Sequence, residues 1–103
     1  MLDQIIRAKR ERIKVLKKHC ILNDHLDLKP TKFFQTLLEC SNVYKIIGEM
    51  KKASPSAGII KEDFDLLRLA NDYVSLGIGN ISVLTEEDYF LGQYEYIPQI
   101  KES

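Results

Sequence analysis

The chain lacks an excess of charge of either sign: 15 basic and 15 acidic side chains cancel, for a formal net charge of +0 at pH 7. With no overall field to steer a polyanion, whole-chain electrostatics selects no partner. Cysteine is reduced to Cys20 and Cys40, and histidine to His19 and His25. None of the four shows metal-ligand spacing, so no metal is expected, and the thiols read as reduced cysteines rather than a disulfide. Long apolar runs are missing too. None approaches the ~18 residues needed to cross a bilayer, and the N-terminus lacks the apolar stretch of a secretory signal, so a soluble, cytoplasmic protein without membrane contact is expected. No repeat, low-complexity tract or flexible linker divides the chain. Its 103 residues suffice for one small domain and not for two, since domains cluster at ~100–150 residues.

What is present begins with a local imbalance. Arg7, Lys9, Arg10, Arg12, Lys14, Lys17 and Lys18 face only Glu11. Leu2, Ile5, Ile6, Ile13, Leu16 and Cys20 fall near one side of a 3.6-residue helix, which predicts a solvated basic face opposite a packed apolar stripe. No aromatics interleave the basic residues, so nucleic acid is not expected as a partner. Asp3, Glu11 and the absence of serine speak against an organelle transit peptide.

A polar connection, Ile21 to Lys29, follows. Thr31 is placed to cap a short helix carrying Phe33, Phe34, Leu37 and Leu38, which Ser41 and Asn42 would end. Val43 to Gly48 reads as a buried strand, and a loop through Gly58 leads to Asp63-Phe64-Asp65. Either aspartate could cap a helix with Leu66, Leu69, Ala70 and Tyr73 on one face and Gly77 as its stop. Asn80 to Leu84 predicts a second strand. A last helix would run from about Tyr94, with Pro98 disturbing its middle. Strand, crossover helix and strand imply a right-handed parallel α/β unit, and the apolar runs imply burial on both sheet faces. Two parallel strands leave two open edges, so the chain looks like the opening portion of a larger fold.

Chemistry concentrates where the first strand ends. Alternation puts Val43, Ile47, Glu49 and Lys51 on one face, so a carboxylate and an ammonium point the same way. Pro55 cannot donate to a ladder and marks the strand's end, and carboxyl ends of parallel strands are where ligands bind. A structural ion pair is the simpler reading of Glu49 and Lys51. Their position at the end of a buried strand favours a functional one, because desolvation there perturbs protonation. Ser54-Pro55-Ser56 with Gly58 could offer hydroxyls and backbone N–H groups to an anion, or form a plain turn. Thr85-Glu86-Glu87-Asp88-Tyr89-Phe90 gathers acids, which in a loop read as solvated rather than metal-binding.

The run Ile46-Ile47-Gly48-Glu49-Met50-Lys51-Lys52-Ala53-Ser54-Pro55-Ser56 resembles the first-strand signature of indole-3-glycerol-phosphate synthases. Asp63-Phe64-Asp65, Ile81-Ser82-Val83-Leu84-Thr85-Glu86-Glu87, Tyr89-Phe90 and Gly92 are similar to the family's next helix, second strand and following loop. The basic first helix and the Phe33-Phe34 helix resemble its N-terminal extension. The resemblance implies a (β/α)8 TIM barrel, with residues 1–42 as a helical extension and 43–103 as the first two βα units. It also implies a carbon–carbon lyase of tryptophan biosynthesis that needs no cofactor. Its substrate, a phosphorylated anthranilate–ribulose conjugate, is 1-(2-carboxyphenylamino)-1-deoxyribulose 5-phosphate, which closes to an indole with loss of carbon dioxide and water.

By the same resemblance Lys51 meets the substrate and assists proton transfer, Glu49 positions the active-site lysines, Ser54 lies near the substrate carboxylate and Phe90 walls the indole pocket. Ser56 adds a second hydroxyl at that place. Gly48 and Ala57 depart from the alanine and lysine frequent in the family. The family's third-strand lysine, fourth-strand glutamate and late-barrel phosphate site find no counterpart before Ser103. The expectation is therefore a fragment, inactive alone unless a missing C-terminal barrel segment is supplied. The alternative is a noncatalytic α/β interaction module, binding a partner through the basic helix or self-associating through open strand edges.

Overall fold

Helix α1, Leu2–His19, has Asp3 in its first turn and Lys17, Lys18 and His19 in its last, the arrangement that complements the helix dipole. The computed structural model describes residues 1–19, 32–39 and 44–103. The readings placed on Cys20, Cys40, His25, Thr31, Ser41, Asn42, Val43 and the Ile21 to Lys29 connection lie outside these residues. No helix among the described residues is long and apolar enough to cross a membrane.

The apolar stripe expected to pack on α1 is not packed: no residue of the helix is buried, and Leu2, Ile6, Ile13 and Leu16 are exposed. The half-buried positions are Ile5, Ala8, Lys9 and Arg12. That face also has helical spacing, but polar contacts made by Lys9 and Arg12 hold it to the body, leaving the apolar stripe beside the contact. Helix α2, Phe33–Glu39, is likewise unburied. Lys45 Nζ donates to the carbonyls of Leu37 at 2.6 Å and Leu38 at 3.3 Å, satisfying C-terminal acceptors that have no partner within the helix.

Strand β1, Ile47–Met50, is followed by a hairpin of β2, Ala53–Ser54, and β3, Gly58–Ile59. Gly58 turns the hairpin with φ +65°, a left-handed conformation free of Cβ cost in glycine. Helix α3, Leu66–Ser75, then crosses over to β4, Asn80–Val83, and α4, Tyr96–Glu102, ends the described chain. Strands β1 and β4 pair in parallel, with Ile47 opposite Asn80, Gly48 opposite Ile81, Glu49 opposite Ser82 and Met50 opposite Val83. This is the strand, helix, strand unit that the order of elements predicts.

Several expectations need correction. The first strand starts at Ile47, because Tyr44 and Ile46 precede the stretch that β4 pairs and are exposed. Strand β1 is buried on one face only: Gly48 and Met50 are buried while Ile47 and Glu49 face solvent. The segment before Gly58 is a hairpin rather than a loop. Pro98 does not disturb its helix, since it is the third helical residue, where an N–H would find no partner within the helix.

Asp65, not Asp63, caps α3, its Oδ1 accepting from the Arg68 amide at 3.0 Å. The helix ends before Gly77, at φ +82°. Its apolar face puts Leu66 and Ala70 against Met50, with Phe64, Ile81 and Tyr96 around them, so the core fills the space between one sheet face and α3 with α4. Asn80 is the buried polar residue of the described set. Its Nδ2 donates to the Phe33 carbonyl at 2.8 Å and ties α2 to the start of β4.

Gly48 has a packing reason. A Cβ there would lie 2.8 Å from Tyr73 Cδ2, so the tyrosine ring occupies the space an alanine would take. The same tyrosine hydroxyl donates to the Glu49 carbonyl at 2.8 Å, joining α3 to the end of β1.

Candidate functional site

Glu49 lies in β1 between the buried Gly48 and Met50, and Lys51 is the first residue past the strand, with its side chain on the same side as Glu49. Lys51 Nζ lies 2.6 Å from Glu49 Oε1, and the side chains retain 29% and 49% of their exposure. The ammonium sits 6.0 Å from the centroid of the Phe90 ring, which arrives from the loop after β4. The hairpin supplies Ser54 and Ser56, whose hydroxyl oxygens are 3.4 Å apart. Ser54 Oγ also accepts from the Ala57 amide at 3.2 Å.

These groups border one open hollow of about 380 Å3, lined by Met1, Lys51, Ser54, Pro55, Ser56 and Phe90. Four of the five residues singled out in the sequence therefore line it. The fifth, Glu49, is not in the lining and holds Lys51 by its carboxylate. Two other hollows, of about 450 and 360 Å3, lie against α2 and gather none of the five.

The donor set has a definite chemical character. A lysine ammonium carries three N–H donors and the serine hydroxyls add two more, which suits a carboxylate or a developing oxyanion. The Phe90 ring offers an apolar face to a planar group. An ammonium repels a metal cation, and among the described residues no imidazole, thiol or carboxylate lines the hollow.

One wall comes from Met1, the residue that precedes α1. The helix is fastened to the loop after β4 by Arg12, whose Nε donates to Asp88 Oδ2 at 2.6 Å and Nη2 to Asp88 Oδ1 at 2.7 Å; Arg12 also pairs with Glu87. Lys9 Nζ donates to the Tyr94 hydroxyl at 2.9 Å and lies 5.0 Å above that ring's centroid. Glu87 and Asp88 are thus ion-paired rather than simply solvated as the sequence suggested. The Glu86 carboxylate accepts from the amides of Asp88, Tyr89 and Phe90.

Sequence reasoning missed Arg12 and Glu86. For Arg12 no local signal existed, because its partners are 75 and 76 residues away. For Glu86 a signal did exist: a carboxylate just after a strand, with a glycine six positions on where the loop closes.

The Arg12 hydrogen bond holds the Asp88 carboxyl below the usual carboxylate range, with burial opposing and the Arg12 and Lys9 charges assisting. Arg12 is pushed above its ordinary value by the same hydrogen bond. A carboxyl with a depressed folded-state pKa stabilises above the unfolded value of about 3.9, and that contribution is lost as pH falls through the folded value. Acidification below the unfolded value of about 3.9 should therefore weaken the clamp progressively, and α1 is released as pH falls through the lower folded-state value of Asp88. Limited proteolysis at Arg7 to Lys18 by an acid-active protease should report it, with Arg12→Gln cleaved at about pH 5, where the parent resists and its Asp88 is still ionised. Equal resistance of parent and variant under that condition would refute the clamp.

A family model for "Indole-3-glycerol phosphate synthase" matches residues 2–103. Among curated proteins of that name, one from Clostridium acetobutylicum is 41% identical over 110 residues, covering 99% of this chain and 40% of its own length. One from Lactiplantibacillus plantarum is 39% identical over 107 residues, covering 100% of this chain and 41% of its own. A third, from Acetivibrio thermocellus, is 49% identical over 74 residues, with 72% and 28% covered. The chain spans about 40% of the length of the first two.

Proposed function

The chain belongs to the indole-3-glycerol phosphate synthase family, and from that premise we propose that it supplies part of the site that closes an indole ring. Residues 1–42 are read as a helical extension and 43–103 as the first two βα units of the barrel. The substrate is 1-(2-carboxyphenylamino)-1-deoxyribulose 5-phosphate, handled in the cytoplasm. The observation that carries this reading is the Lys51 ammonium at the hollow, backed by Glu49 at 2.6 Å and bordered by the serines and Phe90.

In ring closure the aromatic carbon bearing the carboxylate attacks the ketone carbon. The new carbon–carbon bond pushes the carbonyl electron pair onto oxygen, which takes a proton and becomes a hydroxyl. Carbon dioxide then leaves, its bonding pair returns to the ring, and loss of water completes the indole. Lys51 is placed to bind the anthranilate carboxylate or assist the proton transfer, Glu49 holds that lysine, Ser54 and Ser56 hydrogen-bond the carboxylate, and Phe90 packs on the aromatic ring. Held together, the reacting ends gain the proximity advantage of an intramolecular reaction.

We read the remaining catalytic groups as supplied by polypeptide outside these 103 residues, so the chain alone is inactive. The test is turnover of the substrate, followed by indole absorbance, for the chain alone and mixed with a separately made C-terminal segment of a family relative. Turnover only in the mixture is the expected result. Full activity of the chain alone would overturn the shared-site reading. A second reading, a noncatalytic module that self-associates, draws on the exposed Ile46 and Ile47 and on the outer edges of the β1–β4 pair. Self-association of the chain, with a stable mixture that turns nothing over, would favour it.

A further inference from the structure

We propose that Glu86 is a positioning residue that sets the Phe90 ring beside Lys51 by acting through the backbone of the loop after β4. The inference rests on the reading of the Lys51 hollow as the substrate site. Glu86 Oε1 accepts from the Asp88 amide at 3.0 Å, and Oε2 accepts from Tyr89 at 2.7 Å and Phe90 at 3.2 Å. Its own carbonyl accepts from the Gly92 amide at 2.7 Å. One residue therefore takes four N–H groups from the five residues that end at Gly92. Hydrogen bonds to an ionised carboxylate are the stronger kind.

The loop needs such a fastening because its backbone is drawn tight. Leu91 adopts φ 52°, in the left-handed region that a bulky residue avoids. Such a conformation persists only where the surroundings over-determine it. At Gly92 a Cβ would lie 2.8 Å from the carbonyl carbons of Leu84 and Thr85, so the chain passes directly over the two residues that follow β4. The division of labour among the three adjacent acids is clear. Glu87 and Asp88 turn outward to Arg12 on α1, while Glu86 turns inward to the loop's own amides. The loop contributes Phe90 to the hollow, and the Phe90 amide is one of the three that Glu86 holds. Glu86 does not line the hollow and makes no contact with substrate in this scheme.

The test uses the 103-residue chain carrying Glu86→Ala or Glu86→Gln, read by amide hydrogen exchange and by nuclear Overhauser contacts between the Phe90 ring and the Lys51 side chain. In Glu86→Ala the amides of Asp88, Tyr89 and Phe90 should exchange at least about ten times faster, the expectation for losing about 1.4 kcal/mol or more of local protection. The Phe90–Lys51 contacts should vanish, while exchange at Leu69 to Tyr73 in α3 stays as in the parent. Glu86→Gln should fall between the two, because one neutral amide oxygen cannot hold three N–H groups as two carboxylate oxygens do. Unchanged Phe90–Lys51 contacts in Glu86→Ala would overturn the proposal. If that variant fails to fold, parent-like exchange in Glu86→Gln overturns it and intermediate exchange supports it.

Kinetics add a readout that a merely structural role would not move. In the active mixture Glu86→Ala should raise KM about ten-fold with a smaller change in kcat, and in a Phe90→Ala background it should add less than about two-fold. Equal effects in both backgrounds would overturn the route through Phe90. The exchange and contact measurements need no turnover, so absence of activity in every mixture would count against the functional reading and leave the loop assignment to be decided by them.

Discussion

Lys51→Ala, assayed in the mixture of this chain with a C-terminal segment, is expected to lower kcat by roughly 10²–10⁴-fold, the range for losing a positioned proton-transfer group. The loss should not come from unfolding. Lys51 is partly exposed and its partner Glu49 is half exposed, so deleting the ammonium leaves a carboxylate that water can solvate. A surface change of this kind shifts stability by no more than about 0.5 kcal/mol. Lys51→Arg should rescue little, because a planar guanidinium fork presents its donors in a different geometry from a compact ammonium. Glu49→Gln should cost less than Lys51→Ala, since a glutamine oxygen can still accept from the lysine. Parent-like kcat in Lys51→Ala would remove the lysine from the chemistry.

The second large effect is on stability. Met50 is 1% exposed and is the fully buried large side chain of the described core, packed against Leu66 and Ala70. Truncation of a buried methionine to alanine costs about 2–5 kcal/mol through lost transfer energy and the cavity left behind. Small domains have only about 5–15 kcal/mol in total, and among the described residues the other buried hydrophobic side chains are Ala53, Leu66 and Ala70. Met50→Ala should therefore leave much of the chain unfolded at 25 °C, visible in urea denaturation followed by far-ultraviolet circular dichroism. Met50→Leu, nearly volume-conserving, should lose less than about 1.5 kcal/mol. The Met50 carbonyl also accepts from the Leu84 amide at 3.1 Å, so the same residue joins the ends of the two strands beside the site. An unaltered midpoint in Met50→Ala would mean that the core lies elsewhere.

The crossover unit was legible because α3 announces itself three ways: a capping aspartate, Leu66, Ala70 and Tyr73 at helical spacing, and Gly77 after its end. The spacing of Glu49 and Lys51 likewise suggested a shared side by a two-residue period, and the 2.6 Å ion pair has them on one side although Lys51 lies just past the end of β1. The boundaries of β1 were not legible. Ile46 is as apolar as Ile47 and Tyr44 is an equally good strand residue, and only the register with Asn80 to Val83 decides which of them is paired. Nor was the hairpin, whose two-residue strands are too short to show alternation. The stripe on α1 misled for a different reason: Leu2, Ile6, Ile13 and Leu16 have the right period, yet which flank of a helix meets the body was decided by the charges of Lys9 and Arg12 and by acids and a tyrosine far along the chain. Glu86 was told apart from its neighbours only by the glycine six positions on, because three contiguous acids otherwise look alike until their separate hydrogen-bond partners are known.

The closure of the loop at Gly92 carries a consequence for how this segment can vary. Joining the Glu86 carbonyl to the Gly92 amide makes residues 86–92 a ring of set size, and the bare Cα at 92 lets it nest on the strand end. Side chains at several of these positions could be exchanged at modest expense. Insertion or deletion of even one residue, however, would unseat the ring's closing bond and shift glycine away from the spot where the backbone has no clearance, so the length of this stretch is guarded along with Glu86, Phe90 and Gly92.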